Sequence, residues 1–467
     1  MAVMGSHRAL PSRAELARPS RATRVRSALP AMRPTKKLLI LLTGVVLAIA
    51  AVVAFAANAA ARRSLSSSHH VTSATADSQH GSHNGQAGGG NAGNAGQAGG
   101  MAPVPASLGL SPGAVSPSAA GIAEARSLLP KLDAYQLAGQ RVIYSYSGLT
   151  PPASLLWAIS HGRVAGVIFF KGNVGSNAHI KAVARQLQQA NAASTNPVRL
   201  PLLLMTDQEG GVVRRLNGPP TLSAKQIGQS AHPQQTATSE GQATGKFMHG
   251  LGVNVNLAPV LDVFRTPGNF IDEFGRSFSN NPAKVAKLGQ LFATAMQNQG
   301  VAATVKHFPG LGAATRTQNT DARPVTLNLT LHQIRSIDEL PYRSAVSAKV
   351  KLAMVSWAIY PALDKKFPAG LSSTIVQGEL RKRLGFAGVT ITDALEAGAL
   401  KNFGATGKRA TLAAKAGMDL LLCAAQNPTQ GVNARNALRS FFLASNATAQ
   451  ANFKAAVERV LALRATL

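Results

Sequence analysis

The sequence predicts an α/β fold, a (β/α)8 TIM-like barrel that follows an apolar N-terminal segment and a low-complexity linker. Short β-branched or apolar runs alternate with longer stretches of helical spacing, which is the pattern of parallel strands joined by right-handed crossovers. The roughly 340 residues involved suit eight such units, since about 250 residues plus insertions is usual for this barrel. Several runs also end in charged residues, as expected where a site lies at the carboxyl ends of the strands. A doubly wound open sheet is the alternative.

The first 57 residues have the composition of an export signal. Residues 1–37 form a basic leader in which nine arginines and lysines are opposed by Glu15 alone. Residues 38–57 carry no charge and only Thr43 as a polar side chain, and about 20 apolar residues are enough to cross a bilayer as a helix. Because the basic flank stays on the cytoplasmic side, the rest of the chain is expected outside. The segment is either an uncleaved transmembrane signal anchor or a removed signal peptide.

Residues 58–128 are predicted to be a disordered linker. Ser, His, Gly, Asn, Gln and Ala dominate it, as in GQAGGGNAGNAGQAGG, and such a segment buries too little apolar surface to offset its ordering entropy. Four histidines fall in it and are interpreted as solvated linker residues: His69, His70, His80 and His83. We expect no metal site. Residues 129–467 are the predicted barrel.

The chain is strongly basic, with a net charge of +29. Such an excess often indicates a nucleic-acid partner. A protein of that class also needs base-stacking aromatic side chains, and here they are sparse, with 5 Tyr, 2 Trp and 16 Phe. We therefore expect no nucleic-acid partner, and an anionic envelope polymer suits an exported domain better. The single cysteine, Cys423, excludes an intramolecular disulfide and is predicted to be a small buried hydrophobe.

Seven apolar runs are predicted as barrel strands: Val164–Phe170, Leu202–Thr206, Val253–Pro259, Val301–Lys306, Leu352–Tyr360, Val389–Asp393 and Met418–Cys423. Their β-branched residues fit a packed, pleated surface. Stretches of helical spacing lie between them, for example Asn177–Ala193, Pro282–Gln299 and Ser372–Leu384. The last of these begins with a Ser-Ser-Thr capping sequence and ends at Gly385.

Polar residues follow several of these strands. Asp393 comes at the end of a strand and before the helix-favouring residues 394–397, so it is either a helix cap or a catalytic group. The run TDQEGG after another strand presents two carboxylates. Arg214 and Arg215 follow closely, and these arginines either pair with the two carboxylates or bind a ligand. Lys306 and His307 end a third strand. Arg276 is either a ligand clamp or part of a structural salt bridge.

Taken together, these stretches resemble glycoside hydrolase family 3, in the short form typified by bacterial β-N-acetylglucosaminidases. The matching segments are TDQEGGVVRRL (206–216), VNLAPVLDV (255–263), GRSF (275–278), VKHFPGLG (305–312), LSSTIVQGELRKRLGFAGVTITDALEAGAL (371–400) and AGMDLLL (416–422). The resemblance implies the same barrel and a retaining mechanism with a covalent glycosyl-enzyme intermediate. It implies no cofactor. The β-sandwich domain of longer members is missing from the matched region.

The resemblance also implies roles for individual residues. Asp393 matches the nucleophile, a carboxylate that attacks the anomeric carbon and later leaves. Five residues match positions that hold the sugar in the −1 subsite: Asp207, Arg215, Arg276, Lys306 and His307. The cations among them supply donors to sugar oxygens and favour an ionised Asp393.

The sequence departs from the family pattern at the general acid/base. In the N-acetylglucosaminidase branch, Lys-His-Phe-Pro-Gly-His-Gly is followed by a mobile loop whose Asp-Ser-His supplies a histidine for proton transfer. Here Leu311 replaces the second motif histidine, and the loop reads AATRTQNTDARPV. Asn319 or Thr320 falls at the acid/base position, and neither exchanges a proton at neutral pH. Asp321 is the only carboxylate of the loop and is therefore the candidate substitute.

The sequence thus predicts an exo-acting, retaining β-glycosidase. By resemblance, it is a β-N-acetylhexosaminidase acting on envelope glycans that contain N-acetylglucosamine, such as peptidoglycan fragments. The alternatives are a catalytically impaired sugar-binding protein on the same barrel and a β-glucosidase of the family. We expect its barrel outside the cytoplasm, attached to the cell membrane through the N-terminal helix, or secreted if the leader is cleaved. No oligomeric state is predicted.

Overall fold

Eight parallel strands form a closed barrel in the computed structural model, which describes residues 119–467. Around the barrel they are Val142–Tyr144 (β1), Leu420–Leu422 (β10), Val389–Ala394 (β9), Leu352–Val355 (β8), Ala302–Phe308 (β7), Val255–Asn256 (β6), Leu203–Thr206 (β3) and Gly166–Phe169 (β2). A hairpin of Gln208–Gly210 (β4) and Val213–Arg214 (β5) follows β3. The predicted barrel is confirmed, and the open-sheet alternative is wrong.

All seven predicted strands are present, with ends that differ by a few residues, but the strand that closes the barrel was missed. This strand, β1, is three residues long and fully buried. It pairs with β10 through Val142 and Leu421 and with β2 through Ile143 and Gly166. A three-residue run is too short to show a period, so only its neighbours identify it as a strand.

Helices cover the outside of the barrel. They are Ala119–Leu128 (α1), Ala134–Gly139 (α2), Ala153–Ser160 (α3), Asn177–Asn191 (α4), Ala224–Gln229 (α5), Pro233–Gly250 (α6), Pro282–Gln297 (α7), Leu331–Gln333 (α8), Leu340–Ser347 (α9), Thr406–Ala416 (α10), Pro428–Ala444 (α11) and Ala447–Arg464 (α12). Wider π-type turns form Ile334–Asp338 and Thr374–Arg383. Short 3-10 helices form Leu129–Lys131, Lys171–Asn173, Ala369–Leu371 and Gly398–Phe403.

The strands bury side chains on both faces because parallel sheets are covered on both sides. Inward-facing residues such as Ile143, Leu203 and Ile391 fill the barrel interior, while their neighbours pack outward against the helices. Val460 and Leu463 of α12 belong to the interior cluster, so the last helix closes the barrel at the end opposite to the carboxyl ends of the strands.

The helix α12 is fixed to the barrel by a buried arginine. Nε of Arg464 donates to the carbonyl of Pro201 at 2.9 Å, and Nη2 donates to the carbonyl of Leu200 at 2.6 Å. Helix α1 packs against α12, where Arg126 and Glu458 form an ion pair of 2.8 Å and Ala125 is buried. Residues 119–128 therefore belong to the packed domain, although the sequence placed them in the linker.

Several predictions fall on residues that the structure does not describe. The leader 1–37, the apolar segment 38–57 and the four histidines all lie outside residues 119–467. Within residues 119–467 no helix has the length and apolarity needed to cross a bilayer. Cys423 is a buried free thiol, as predicted, and burial raises its pKa well above the usual value.

Candidate active site

A pocket of about 490 Å³ opens at the carboxyl ends of the barrel strands. This volume lies in the range of about 300–1,000 Å³ that is usual for small-molecule sites. Seven residues that the sequence nominates for the site line this pocket, whereas Arg214 does not: Asp207, Arg215, Arg276, Lys306, His307, Asp321 and Asp393. They come from segments that lie far apart in the sequence, and the parallel strands bring them to one end of the barrel.

Asp393 lies at the end of β9, which continues to Ala394. Its Oδ1 accepts the backbone N–H of Ala394 at 2.8 Å, and the next helical segment starts only at Gly398. Asp393 therefore caps no helix, and the capping interpretation is wrong. Burial raises the pKa of Asp393 to about 6; the negative charge of Asp321 adds to this rise, while His307 and Lys306 oppose it. At neutral pH this carboxyl group is mainly ionised.

Glu209 joins two cations of the pocket. It accepts two hydrogen bonds of 2.8 Å from Arg276, and its Oε1 lies 2.7 Å from Nζ of Lys306. Nζ of Lys306 also lies 2.7 Å from Asp207. Burial acts to raise the pKa of Glu209, but Arg276 and Lys306 outweigh it and hold the pKa well below its usual range. Arg276 thus forms the structural salt bridge and lines the pocket at the same time.

The carboxylates likewise keep both cations charged. Burial acts to lower the pKa of Lys306, but the charges of Asp207 and Glu209 outweigh it and raise the pKa. The pKa of Arg276 is also raised, since Glu209 offsets the burial of the guanidinium. The pocket therefore holds two buried donors that stay charged through the neutral range.

His307 is oriented by a second buried carboxylate. Its Nδ1 lies 2.7 Å from Oδ2 of Asp262, which is fully buried. An ionised carboxylate only accepts hydrogen bonds, so we assign a proton to Nδ1. The other ring nitrogen, Nε2, lies 3.4 Å from Nη2 of Arg276. In the neutral ring, Nε2 is then the acceptor that faces the pocket.

Arg215 follows the hairpin of β4 and β5, which a buried glutamine holds in place. Oε1 of Gln208 accepts the backbone N–H groups of Arg215 and Leu216 at 3.0 and 2.9 Å, and its Nε2 donates to the carbonyl of Pro219 at 3.0 Å. Nε of Arg215 is buried and has no hydrogen-bond partner among the described residues. Arg215 also lines the pocket, so its guanidinium lies at the edge of the space that a ligand would fill.

Asp321 reaches the pocket from a loop between β7 and α8. Asn319, which also lines the pocket, uses its Oδ1 to accept the backbone N–H of Asp321 at 2.8 Å. Thr320 is buried, with 3% of its surface exposed, and so is Leu311, with 1%. Asp321 is thus the carboxylate of this loop that faces the pocket next to Asp393.

Sequence reasoning missed several residues of the pocket. Glu209 and Asp262 were visible as carboxylates after strands, but their partners lie tens of residues away in the sequence. Glu396 lines the pocket and accepts a hydrogen bond of 2.9 Å from Gln430. Phe270 and Phe274 form an aromatic part of the wall, and 47% of Phe274 is exposed. Their segment lies outside the strands and carried no periodic signal.

A sequence model described as the glycosyl hydrolase family 3 N-terminal domain matches residues 140–463. The chain belongs to glycosyl hydrolase family 3. The matched range contains the whole barrel and all the pocket residues named above, so the family assignment covers the part of the chain that carries the site.

Three proteins show what this family 3 chain is similar to. It is 49% identical to an uncharacterized secreted glycosyl hydrolase of Arthroderma benhamiae, covering 71% of this chain and 93% of that protein. A solved family 3 β-N-acetylglucosaminidase of Paenibacillus sp. strain FPU-7 is 33% identical, with a TM-score of 0.66, and covers 72% of this chain and 63% of that one. A solved β-N-acetylhexosaminidase of Beutenbergia cavernae is 31% identical, with a TM-score of 0.65 and coverage of 71% and 98%.

Proposed function

We propose that this family 3 protein is a retaining, exo-acting β-glycosidase that removes β-linked N-acetylhexosamine, with Asp393 as nucleophile and Asp321 as general acid/base. The observation that carries this proposal is the presence of these two carboxylates in one pocket, beside the cations Arg276 and Lys306. The named activities of the Paenibacillus and Beutenbergia proteins support the choice of sugar. The alternative activity is that of a β-glucosidase of the same family, and a panel of aryl glycosides distinguishes the two.

The proposed reaction has two displacements. In the first, the carboxylate of Asp393 forms a bond to the anomeric carbon while the bond to the leaving oxygen breaks and Asp321 protonates that oxygen. In the second, Asp321 removes a proton from water, which attacks the anomeric carbon and releases Asp393. Proton transfer of this kind contributes about 10²–10⁴-fold to the rate.

The remaining polar residues of the pocket are assigned to sugar binding. Lys306 and Arg276 donate to sugar oxygens, and the carboxylate of Asp207 accepts from vicinal hydroxyl groups. Arg215 supplies a guanidinium whose Nε has no hydrogen-bond partner among residues 119–467. His307, oriented by Asp262, presents Nε2 as an acceptor.

The charge of the pocket favours a neutral sugar over a polyanion. Five carboxylates line it, against three permanent cations: Asp207, Glu209, Asp321, Asp393 and Glu396, opposed by Arg215, Arg276 and Lys306. The positive charge of the chain is therefore not concentrated in the pocket, and a phosphate-rich ligand would meet net repulsion there. This supports an uncharged terminal sugar as the group that enters.

We also propose that the protein is exported and acts on envelope glycans that contain N-acetylglucosamine, such as peptidoglycan fragments. The basic leader 1–37 and the apolar segment 38–57 support export, as a signal anchor or a signal peptide. The relative from Arthroderma benhamiae is named as secreted, which favours the secreted form. In this proposal residues 58–118 are a linker to the catalytic domain.

A panel of aryl glycosides tests the proposed activity. The 4-nitrophenyl N-acetyl-β-glucosaminide should be cleaved with retention, and the corresponding β-glucoside should be cleaved much more slowly. A fluorinated sugar substrate should label Asp393, as shown by mass mapping of peptides, and Asp393→Ala should be inactive. Binding of N-acetylglucosamine without release of the aryl group would instead favour the sugar-binding alternative. A label on another residue would contradict the assignment of the nucleophile.

A further inference from the structure

The segment that carries Asp321 is attached to the chain that directly follows Asp393. The backbone N–H of Gly398 donates to the carbonyl of Asp321 at 2.7 Å, and that of Ala399 donates to the carbonyl of Thr320 at 2.9 Å. Only four residues separate Gly398 from Asp393. The two catalytic carboxylates of the proposed reaction are therefore linked through a short and continuous path of backbone contacts.

Gly398 permits this contact because it has no side chain. A Cβ atom at this position would lie 2.2 Å from the carbonyl oxygen and 2.4 Å from the carbonyl carbon of Ala322, well below the 3.0 Å within which real Cβ atoms essentially never come. The φ angle of Gly398 is outside the left-handed region. The position thus requires glycine for close approach of two backbones and not for an unusual backbone conformation.

The rest of the segment is supported independently. The carbonyl of Asn319 accepts the N–H groups of Ala322 and Arg323 at 3.2 and 3.1 Å, which closes a turn around Asp321. Further along, the backbone of Ile359 exchanges two hydrogen bonds of 2.9 Å with Val325 and Leu327. Hydrogen bonds therefore hold the turn at Asn319 and the chain that leaves it at Val325 and Leu327, while Gly398 contacts the middle of the turn at Asp321.

We infer that Gly398 is a positioning residue, which holds the carboxyl group of Asp321 at the pocket beside Asp393 by docking the two backbones. In this arrangement the general acid is in place before the substrate arrives, instead of being carried in by a loop that closes afterwards. The inference rests on the proposed function. Its physical basis is that proton transfer requires hydrogen-bond distance, and a displacement of about 1 Å can cost 10²-fold in rate.

Substitution of Gly398→Ala tests the inference, because the added methyl group must separate the turn from the backbone of residue 398 and so displace Asp321. Hydrolysis of chitobiose, whose leaving group needs protonation, should fall about 10–100-fold. Cleavage of the 2,4-dinitrophenyl N-acetyl-β-glucosaminide, whose leaving group needs none, should lose far less in its first step. Azide, which replaces water without needing a base, should restore turnover of the activated glycoside.

Gly378→Ala is the matched control, since a Cβ atom there meets nothing within 4 Å, and it should behave as the wild-type protein on both substrates. Equal losses of Gly398→Ala on both substrates, or no loss on chitobiose, would overturn the inference. The variant Asp321→Ala distinguishes failure of the positioning role of Gly398 from failure of the proposed function. If Asp321→Ala shows the dependence on leaving group and Gly398→Ala does not, only the positioning role is wrong.

A measurement on the unmodified protein covers the case in which Gly398→Ala does not fold. The donor amides of Gly398 and Ala399 should exchange slowly with deuterium in the free protein, because both are hydrogen-bonded to the turn. Exchange at the rate of an unstructured peptide would show that the turn is not docked in the absence of substrate, and it would reject the inference on its own.

Discussion

The imidazole of His307 and the carboxylate of Asp262 form a buried hydrogen-bonded pair in which Nδ1 and Oδ2 are 2.7 Å apart. The second oxygen of Asp262 accepts the backbone N–H of Leu311 at 2.7 Å. One carboxylate thus fixes both the ring of His307 and the start of the segment that leads to Asp321. Substitution of Asp262 should therefore lower the activity more than substitution of a residue that only packs in the core.

Asp262→Asn should lower kcat/KM for the 4-nitrophenyl N-acetyl-β-glucosaminide by on the order of 10–100-fold, taken by analogy from carboxylates that orient a metal-bound histidine. The amide can still accept the backbone N–H groups, but its NH₂ would oppose Nδ1–H and favour the other tautomer. Nε2 would then carry a proton towards Arg276. Steady-state kinetics and a melting curve of the variant test this, and a kcat/KM within twofold of the wild-type value would contradict it.

Asp393→Asn should abolish turnover and yet stabilise the folded protein at neutral pH. Because the folded-state pKa of Asp393 is raised to about 6 from 3.8, ionisation of this group destabilises the fold as pH rises between those values. The amide does not ionise and can keep the hydrogen bond from Ala394. The gain should be on the order of 1–3 kcal/mol at pH 7 and disappear below about pH 4.

Denaturant unfolding of both proteins at pH 4 and pH 7 measures this difference. A stability gap of equal size at both pH values would show that Asp393 titrates normally in the fold, and a loss of stability at pH 7 would show that its charge is well compensated.

Asp321→Asn should move the acidic limb of the pH–rate profile to lower pH. The proposed nucleophile, Asp393, must be ionised, so kcat/KM for an activated glycoside should fall as pH drops below about 6, the pKa of Asp393. The negative charge of Asp321 contributes to that raised pKa, and its removal therefore lowers the pKa. The 2,4-dinitrophenyl glycoside isolates this effect because it needs no general acid. An unchanged limb would indicate that the two carboxylates do not interact.

Glu209→Gln should impair both stability and activity, because it leaves the buried cations Arg276 and Lys306 without their shared carboxylate. Loss of one partner from a buried ion pair costs about 3–5 kcal/mol, and misplaced donors should lower kcat/KM by on the order of 100-fold. Glu273→Gln is the control, since Glu273 pairs with the exposed Arg316, and its unfolding midpoint should hardly change. Equal effects of the two substitutions would contradict a central role for Glu209.

The sequence predicted those features that lie within one segment of chain. Each predicted strand carried its own apolar run, and the polar residues of the site followed directly on strand ends, so Asp393, Lys306 and His307 were found from local patterns. The family resemblance then assigned their roles. The same local rule also nominated Asp321, because it is the single carboxylate of its loop.

What the sequence did not predict depends on pairing across the fold. Strand β1 is recognisable only beside β10 and β2. Glu209 and Arg276 are 67 positions apart in the sequence and come into contact only when the barrel closes. The same is true of Asp262 and His307. Whether Asp393 caps a helix was open for a related reason, since the answer depends on where the next helical segment starts.

The position of the last helix determines how the domain can be attached to a surface. Helix α12 plugs the amino-terminal end of the barrel through Val460 and Leu463, and α1 packs on α12. The pocket opens at the opposite end. A support coupled directly to the outer surface of α1 or α12 would consequently leave the pocket uncovered, so that bulky glycans can enter it.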